Sequence, residues 1–212
     1  MRHTILILFT GLLLTLTVSC DNWLDVRPQT EVKVDDNFKT AQGFKDALTG
    51  IYLLMSDQAI YGQELSFGMV DVLGKQYTTP FSASGRYYDL SQYNYTTEQA
   101  KEVIDPVWSK MYNVIANVNS LIEHINKADR TMFSGVEYNV IRGEAYALRA
   151  FLHFDLVRLF GPSYKTGAST KAIPYEETFN NQITELSTVA EVITKALGDL
   201  TIAEQELVND PV

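Results

Sequence analysis

The most regular pattern of apolar and polar positions in the chain lies in residues 135–160. Apolar side chains recur there every three or four positions, at Tyr138, Ile141, Ala145, Leu148, Leu152, Leu156 and Leu159. That spacing builds one buried face of an α-helix. Ser134 and Glu137 fit a capping box before the stretch, and Gly161-Pro162 ends it because proline cannot continue a helix. The pattern predicts one helix over residues 135–160, about 39 Å long at ~1.5 Å per residue.

Further aromatic side chains widen the apolar surface of this helix, namely Phe151, Phe154 and Phe160. We therefore expect other elements to pack against it on more than one side. A second long helix is predicted to start at Asp105-Pro106, because proline suits the first helical position. Its apolar positions are Trp108, Met111, Tyr112, Ile115, Val118, Ile122 and Ile125, with Asn119 on the same face. The short link over residues 126–133 makes the two helices antiparallel neighbours.

Two shorter helices complete the predicted core. Thr40 fits the N-cap of the first, whose apolar positions are Phe44, Ala47, Leu48, Ile51 and either Leu54 or Met55. Thr188 and Glu191 form a capping box for the second, whose apolar positions are Val189, Val192, Ile193, Ala196, Leu197 and Leu200. Residues 161–183 are predicted to form a long polar loop. The fold class is therefore mainly α, with antiparallel helices that are TPR-like, although no tetratricopeptide consensus is legible.

Residues 77–95 differ from the helical stretches because they are rich in aromatic side chains, at Tyr77, Phe81, Tyr87, Tyr88, Tyr93 and Tyr95. Pro80, Gly85 and many Ser and Thr residues oppose a helix here, and short strands are possible. The rings either pack on the helical body or form a platform for sugars, whose C–H faces and hydroxyls suit tyrosine. If a glycan binds, we expect the largest contribution to its binding from Tyr87, Tyr88 and Tyr93, which lie near Gly85 among polar residues.

The N-terminus reads as a targeting segment. Arg2 precedes a mostly apolar run, Ile5–Leu16, which is shorter than the ~20 residues of a membrane-spanning helix. Cys20 follows and is the chain's single cysteine. This order favours a lipoprotein signal peptide at residues 1–19, acylation of Cys20 and a tether at 20–37, followed by a helical domain at 38–212. An ordinary signal-peptidase site with a free thiol is the alternative.

Charge and motifs exclude several function classes. The formal net charge of −9 argues against nucleic acid as a partner, because phosphate recognition needs clustered Lys and Arg. The histidines His3, His124 and His153 do not have the spacing of a metal site, and no cofactor or nucleophile motif is present. The charged residues of the long central helix are Glu144, Arg149, Asp155 and Arg158. We expect structural ion pairs there rather than the carboxylate pair of a glycosidase.

Three stretches also resemble one family. The central helix fits a signature with Arg142, Glu144, Ala145, Leu148, Arg149, Ala150, Phe151, Phe154, Leu156, Phe160 and Gly161. The segment after the signal peptide fits with Cys20, Trp23, Leu24, Asp25 and Pro28, and the second long helix with Trp108, Tyr112, Ile115 and Asn119. The chain thus resembles the N-terminal portion of the RagB/SusD family of Bacteroidetes outer-membrane lipoproteins. Known members are longer, so the chain looks like a truncated SusD-like region.

The resemblance implies a function that the residues alone do not. Family members are surface-exposed outer-membrane lipoproteins without enzymatic activity. They bind oligosaccharides and deliver them to SusC-like TonB-dependent transporters. Three alternatives stay open: a peptide-capturing member of the same family, a TPR-like module that binds a partner protein, and a glycosidase.

Overall fold

The structure is a computed structural model that describes residues 34–77, 81–180, 182–208 and 210. Residues 37–212 form one compact unit, distinct from a unit at residues 1–36. The elements are α1 (Val34–Asn37), α2 (Ala41–Met55), α3 (Met69–Leu73), α4 (Tyr88–Ser91), α5 (Glu98–Lys127), a 3-10 turn (Arg130–Met132), α6 (Glu137–Phe160), α7 (Tyr164–Gly167), β1 (Lys171–Pro174), β2 (Leu186–Thr188) and α8 (Val189–Leu207). The mainly helical fold is confirmed. Cys20 and the tether residues Trp23, Leu24, Asp25 and Pro28 lie outside the described residues.

Helix α6 is the centre of the core. It contacts α2, α5, α8 and β1, so the prediction of neighbours on several sides is confirmed. Its predicted stripe is buried except for Leu159, which is half-buried. Phe151 and Phe154 depart from expectation, because each keeps 43% of its surface exposed. Of the three additional rings, only Phe160 packs inward. Its ring lies nearly perpendicular to that of Trp108, and the two ring centroids are 4.9 Å apart.

The two long helices run antiparallel, as their short link predicts. The start of α5 meets the end of α6, where Trp108 contacts Phe160. The end of α5 meets the first half of α6, where the Asn126 amide donates to the Tyr146 hydroxyl at 3.0 Å. Higher residue numbers along α5 therefore contact lower residue numbers along α6, as in an antiparallel pair.

Helices α6 and α8 also run antiparallel and approach closely. A Cβ atom at Gly143 would lie 2.6 Å from the Leu207 side chain, so glycine permits the contact. Farther along, Arg149 pairs with Asp199. Because α8 turns Asp199 inward, Leu197 and Leu200 face outward and are exposed. The prediction that these two leucines belong to the apolar face of the helix is therefore wrong.

The predicted starts of the two long helices need correction. Helix α5 begins at Glu98 with Thr97 as its N-cap, whose hydroxyl accepts from the Ala100 N–H at 3.2 Å. Pro106 therefore lies inside the helix, where it cannot donate to the carbonyl of Glu102. Both residues are exposed, so water can reach that carbonyl.

Helix α6 begins at Glu137, slightly later than predicted. Only half of the expected capping box forms, because the Glu137 carboxylate accepts from the Ser134 N–H at 3.0 Å while no side chain caps the helix. The capping box of α8 is complete. The Thr188 hydroxyl accepts from the Glu191 N–H, and the Glu191 carboxylate accepts from the Thr188 N–H. The region predicted as one polar loop contains α7 and strand β1, which pairs antiparallel with β2.

Candidate functional site

The six candidate aromatic residues fall into two clusters. Tyr77, Phe81 and Tyr87 form an edge-to-face chain with centroid separations of 5.7 and 6.1 Å. Tyr93 and Tyr95 form a second pair at 6.5 Å. Tyr88 begins helix α4, and within the described residues its ring has no aromatic partner. The segment therefore contains one helical turn, which corrects the expectation of no helix, and neither β-strand of the described chain lies within it.

The first cluster is fastened to a buried carboxylate. Glu64 is 1% exposed and accepts from the Tyr87 hydroxyl at 3.0 Å, the Arg86 guanidinium at 2.9 Å and the Met69 N–H at 3.0 Å. Burial raises the pKa of Tyr87. The hydroxyl of Tyr87 is thus already engaged, and its half-buried ring serves packing at least as much as it serves a ligand.

The second cluster is held in an unusual backbone conformation. Tyr93 has φ 60° and Lys75 has φ 55°, which is the left-handed region that residues other than glycine rarely adopt. The Lys75 ammonium lies 4.4 Å from the centre of the Tyr93 ring and donates to the Ser91 carbonyl. The Tyr93 hydroxyl donates to the Leu73 carbonyl at 3.1 Å. Such strain costs roughly 1–3 kcal/mol per residue and is concentrated at functional sites.

A cleft adjoins Tyr95. Its first part is a cavity of about 350 Å³ whose walls include Met69, Leu73, Tyr95, Ile104, Leu159 and Phe160. A second cavity of about 390 Å³ shares Leu73 and Leu159 with the first and adds Asp155 and Arg158. Burial, and then the neighbouring Tyr93, raises the pKa of Tyr95. The cleft thus combines an apolar floor with an ion pair at one end, a composition suited to a ligand with both apolar and polar faces.

The charged residues of α6 have structural partners. The Asp155 carboxylate accepts from Arg158 at 3.0 Å and from the Tyr61 hydroxyl at 2.9 Å, and Glu144 accepts from the Tyr52 hydroxyl at 2.6 Å. The expectation of structural ion pairs is confirmed for Asp155 with Arg158. It is also confirmed for Arg149, whose partner Asp199 could not be chosen from the sequence.

Arg149 and Asp199 form a buried, two-pronged ion pair. The guanidinium Nε and Nη2 atoms lie 2.7 and 2.6 Å from the two carboxylate oxygens. The Tyr175 hydroxyl donates to the same carboxylate at 2.6 Å, and Asn119 and the Glu177 carbonyl accept from Nη1. This network joins α5, α6, α8 and the segment after β1, so its role is to hold the fold.

His153 extends the same network and is buried, as expected for a core histidine. Its Nδ1 lies 2.9 Å from the Arg149 carbonyl, and its Nε2 lies 3.0 Å from the Glu176 N–H. A carbonyl can only accept and an N–H can only donate, so the ring is neutral with its proton on Nδ1. Burial lowers the pKa of His153 to about 4.

No helix in the described part of the chain is both long and apolar enough to span a bilayer. Within the same residues, His, Cys, Asp and Glu side chains form no group of three or more able to hold a metal ion.

Comparison with known proteins decides the family. A family profile described as "Starch-binding associating with outer membrane" matches residues 22–212. The chain belongs to the SusD-like family. The resemblance carried by the three motifs is therefore confirmed.

Curated SusD-like relatives are longer than this chain. SusD-like protein P2 of Formosa agariphila is 28% identical over 95% of the chain, which corresponds to 37% of that relative. SusD-like protein P38 of the same organism is 30% identical over 89% of the chain and 34% of the relative. The chain thus spans a little over a third of the length of these relatives.

Solved structures confirm the SusD-like fold. A SusD superfamily protein from Bacteroides thetaiotaomicron aligns with a TM-score of 0.68 and 24% identity, over 79% of this chain and 37% of that one. A SusD-like carbohydrate binding protein from Bacteroides vulgatus aligns with a TM-score of 0.65 and 20% identity, over 82% and 37%. At these identities the likeness concerns the fold, and the binding site has to be argued from this chain's own residues.

The composition of residues 77–95 marks the aromatic segment of this SusD-like chain but not its division into two clusters. Glu64 lies in a short apolar stretch, where nothing indicates that its carboxylate is buried. The left-handed turn at Lys75 had one available signal, the preceding Gly74, but that glycine does not itself have a positive φ. The exposed rings are Tyr77, Tyr93 and Tyr95, whereas Tyr87 and Tyr88 are half-buried.

Proposed function

We propose that this SusD-like chain captures nutrient glycan, and that Tyr95, which lines the cleft, and the neighbouring Tyr93 form its contact surface. One observation carries the proposal. The two rings are 50% and 47% exposed, yet Tyr93 is held in a left-handed conformation by contacts from Lys75 and Leu73. Rings that are exposed and already fixed lose little freedom when a ligand binds.

The chemistry of this edge suits carbohydrate. A tyrosine ring offers a flat apolar face to the C–H face of a pyranose, and its hydroxyl offers a hydrogen bond. The adjoining cleft continues with apolar walls and ends at Asp155 and Arg158, which can hydrogen-bond to sugar hydroxyls. Tyr77 is the third exposed ring of the segment, and we propose it as an outlying contact. Tyr87 and Tyr88, favoured from the sequence, remain candidates with less exposed surface.

The family match supports the glycan assignment and its setting. The family description names starch binding and association with the outer membrane. We propose that Cys20 is acylated after removal of residues 1–19, that residues 20–37 tether the helical domain, and that the chain faces the exterior. We further propose delivery of oligosaccharide to a SusC-like TonB-dependent transporter, without catalysis.

Binding to a panel of polysaccharides tests the proposal. We expect affinity electrophoresis to show retardation of the wild type by at least one neutral polysaccharide. Tyr93→Ala and Tyr95→Ala should abolish the retardation while the circular dichroism spectrum stays unchanged. Tyr164→Ala is the matched control, because this ring is exposed but lies outside the candidate segment. If both test variants bind like the control, the surface lies elsewhere. If they lose helicity together with binding, the rings belong to the core.

A further inference from the structure

A second cleft lies between α5 and the connection from β1 to β2. Its volume is about 420 Å³, within the range of small-ligand sites. No residue that lines it also lines the two cavities near Tyr95. It is therefore a separate site, and neither the aromatic segment nor the family match accounts for it.

One wall of this cleft is aromatic and belongs to α5. Trp108 and Tyr112 are half-buried, with ring centroids 4.9 Å apart and planes tilted by 51°. The Phe160 ring packs nearly perpendicular to the Trp108 ring, with the two centroids 4.9 Å apart. The wall consequently presents two apolar surfaces at an angle and leaves part of each open to the cleft.

The start of the opposite wall, at Pro174 and Glu176, is fastened to α5 and α6. The Tyr112 hydroxyl donates to the Pro174 carbonyl at 2.9 Å, and the Asn119 amide donates to the Glu176 carbonyl at 2.9 Å. His153 accepts from the Glu176 N–H at 3.0 Å. Because these three hydrogen bonds already fix Pro174 and Glu176, this part of the wall costs little further ordering when a ligand binds.

The polar groups of the lining set the chemistry. Glu176, Asn180 and Gln182 supply a carboxylate and two amides, Thr178 and Thr184 supply hydroxyls, and Phe179 adds an exposed ring. The lining includes no Lys, Arg or His. The Glu176 carboxylate accepts from the Thr184 hydroxyl at 2.7 Å, and after burial it is the second cause of the raised pKa of Tyr112. An anion entering the cleft would meet a negative charge without a cation among the lining residues to offset it.

We propose that this cleft binds one neutral sugar unit of a glycan and excludes acidic sugars. An apolar sugar face lies against Trp108 and Tyr112, while the ring hydroxyls meet the amides and the carboxylate of the opposite wall. Sulfated or uronic acid units are rejected by Glu176. The inference rests on the proposed function for its ligand class, but the site and its charge selectivity are independent of Tyr93 and Tyr95.

Trp108 provides a local reporter. The chain has two tryptophans, so Trp23→Phe in the full chain leaves Trp108 as the single source of indole emission. The probes are maltotriose, cellotriose and xylotriose as neutral sugars, and trigalacturonate as an acidic sugar. We expect a saturable change in Trp108 emission with at least one neutral probe and none with trigalacturonate.

Variants locate the response. Gln182→Ala and Phe179→Ala should each weaken the Trp108 response by about two- to tenfold, the effect of losing one hydrogen bond or ring contact. Glu176→Gln should let trigalacturonate produce a response. Tyr164→Ala is the control and should leave every titration unchanged.

The outcomes separate this inference from the proposed function. Calorimetric binding of a neutral probe with silent Trp108 emission overturns the cleft and leaves the proposed function standing. A response unchanged by Gln182→Ala and Phe179→Ala is transmitted through Phe160 from the neighbouring cavity, and it overturns the cleft as well. An equal response to trigalacturonate overturns the charge selectivity. If calorimetry detects no binding of any probe, the cleft is contradicted, while retardation by a polysaccharide of the panel decides the proposed function separately.

Discussion

Replacing Asp199 by alanine should leave the Arg149 guanidinium buried without its counterion. Both side chains are only 7% exposed, so water cannot take over the role of the carboxylate. Removing one partner of such a pair typically costs about 3–5 kcal/mol of unfolding free energy. The Tyr175 hydroxyl also loses its acceptor. We therefore expect Asp199→Ala to lower the free energy of unfolding by about 3–5 kcal/mol, a large part of the stability of a typical domain.

Urea denaturation followed by circular dichroism measures this effect. The double variant Arg149→Met with Asp199→Leu removes both charges, and we expect it to be more stable than either single variant, because no unpaired charge stays buried. The exposed pair Lys127 and Glu123 serves as control, and Glu123→Ala should change stability by no more than about 1 kcal/mol. Two results would show that the network does not hold the helices together. One is a loss of stability for Asp199→Ala as small as that of the control, and the other is a loss for the double variant equal to the sum of the losses for Arg149→Met and Asp199→Leu.

Three further predictions address the core, the buried histidine and the anchor. Leu152 is fully buried, so Leu152→Ala should cost about 2–5 kcal/mol, whereas the exposed Leu197→Ala should stay within ~0.5 kcal/mol of the wild type; equal denaturant midpoints would contradict this. Because the native state of His153 resists protonation until about pH 4 and the unfolded state does not, stability should fall by about 3 kcal/mol between pH 6.5 and 4. The same fall in stability between pH 6.5 and 4 in His153→Gln would refute the assignment of the pH dependence to His153. Metabolic labelling with a fatty-acid analogue should mark the wild type and spare Cys20→Ala, and equal labelling would exclude acylation of Cys20.

The core of the fold follows from local patterns. The stripe of α6 and the capping box of α8 are visible in the sequence because apolar periodicity and capping chemistry act within a few residues. The start of α5 does not follow from the local pattern, because proline usually marks a first turn, whereas Pro106 lies exposed inside the helix, which tolerates it there. The orientation of α8 does not follow from the local pattern either, because Asp199 faces inward only with Arg149 opposite it, and no local pattern encodes that partner.

The candidate site was predictable in composition but not in arrangement. Aromatic enrichment pointed to residues 77–95, yet the sequence favoured Tyr87, whose hydroxyl the fold commits to Glu64. The left-handed conformation of Tyr93 depends on contacts with Lys75 and Leu73, which lie about twenty residues earlier in the chain. Long-range contacts of this kind decide which rings stay exposed, and periodicity does not report them.

A crystal structure of the chain with a bound neutral oligosaccharide, chosen as a binder by affinity electrophoresis, tests the central claim most directly. We predict a pyranose ring stacked on Tyr93 or Tyr95, with its neighbours extending over the cleft towards Asp155 and Arg158. An oligosaccharide bound at a surface that leaves both tyrosines untouched would contradict the account.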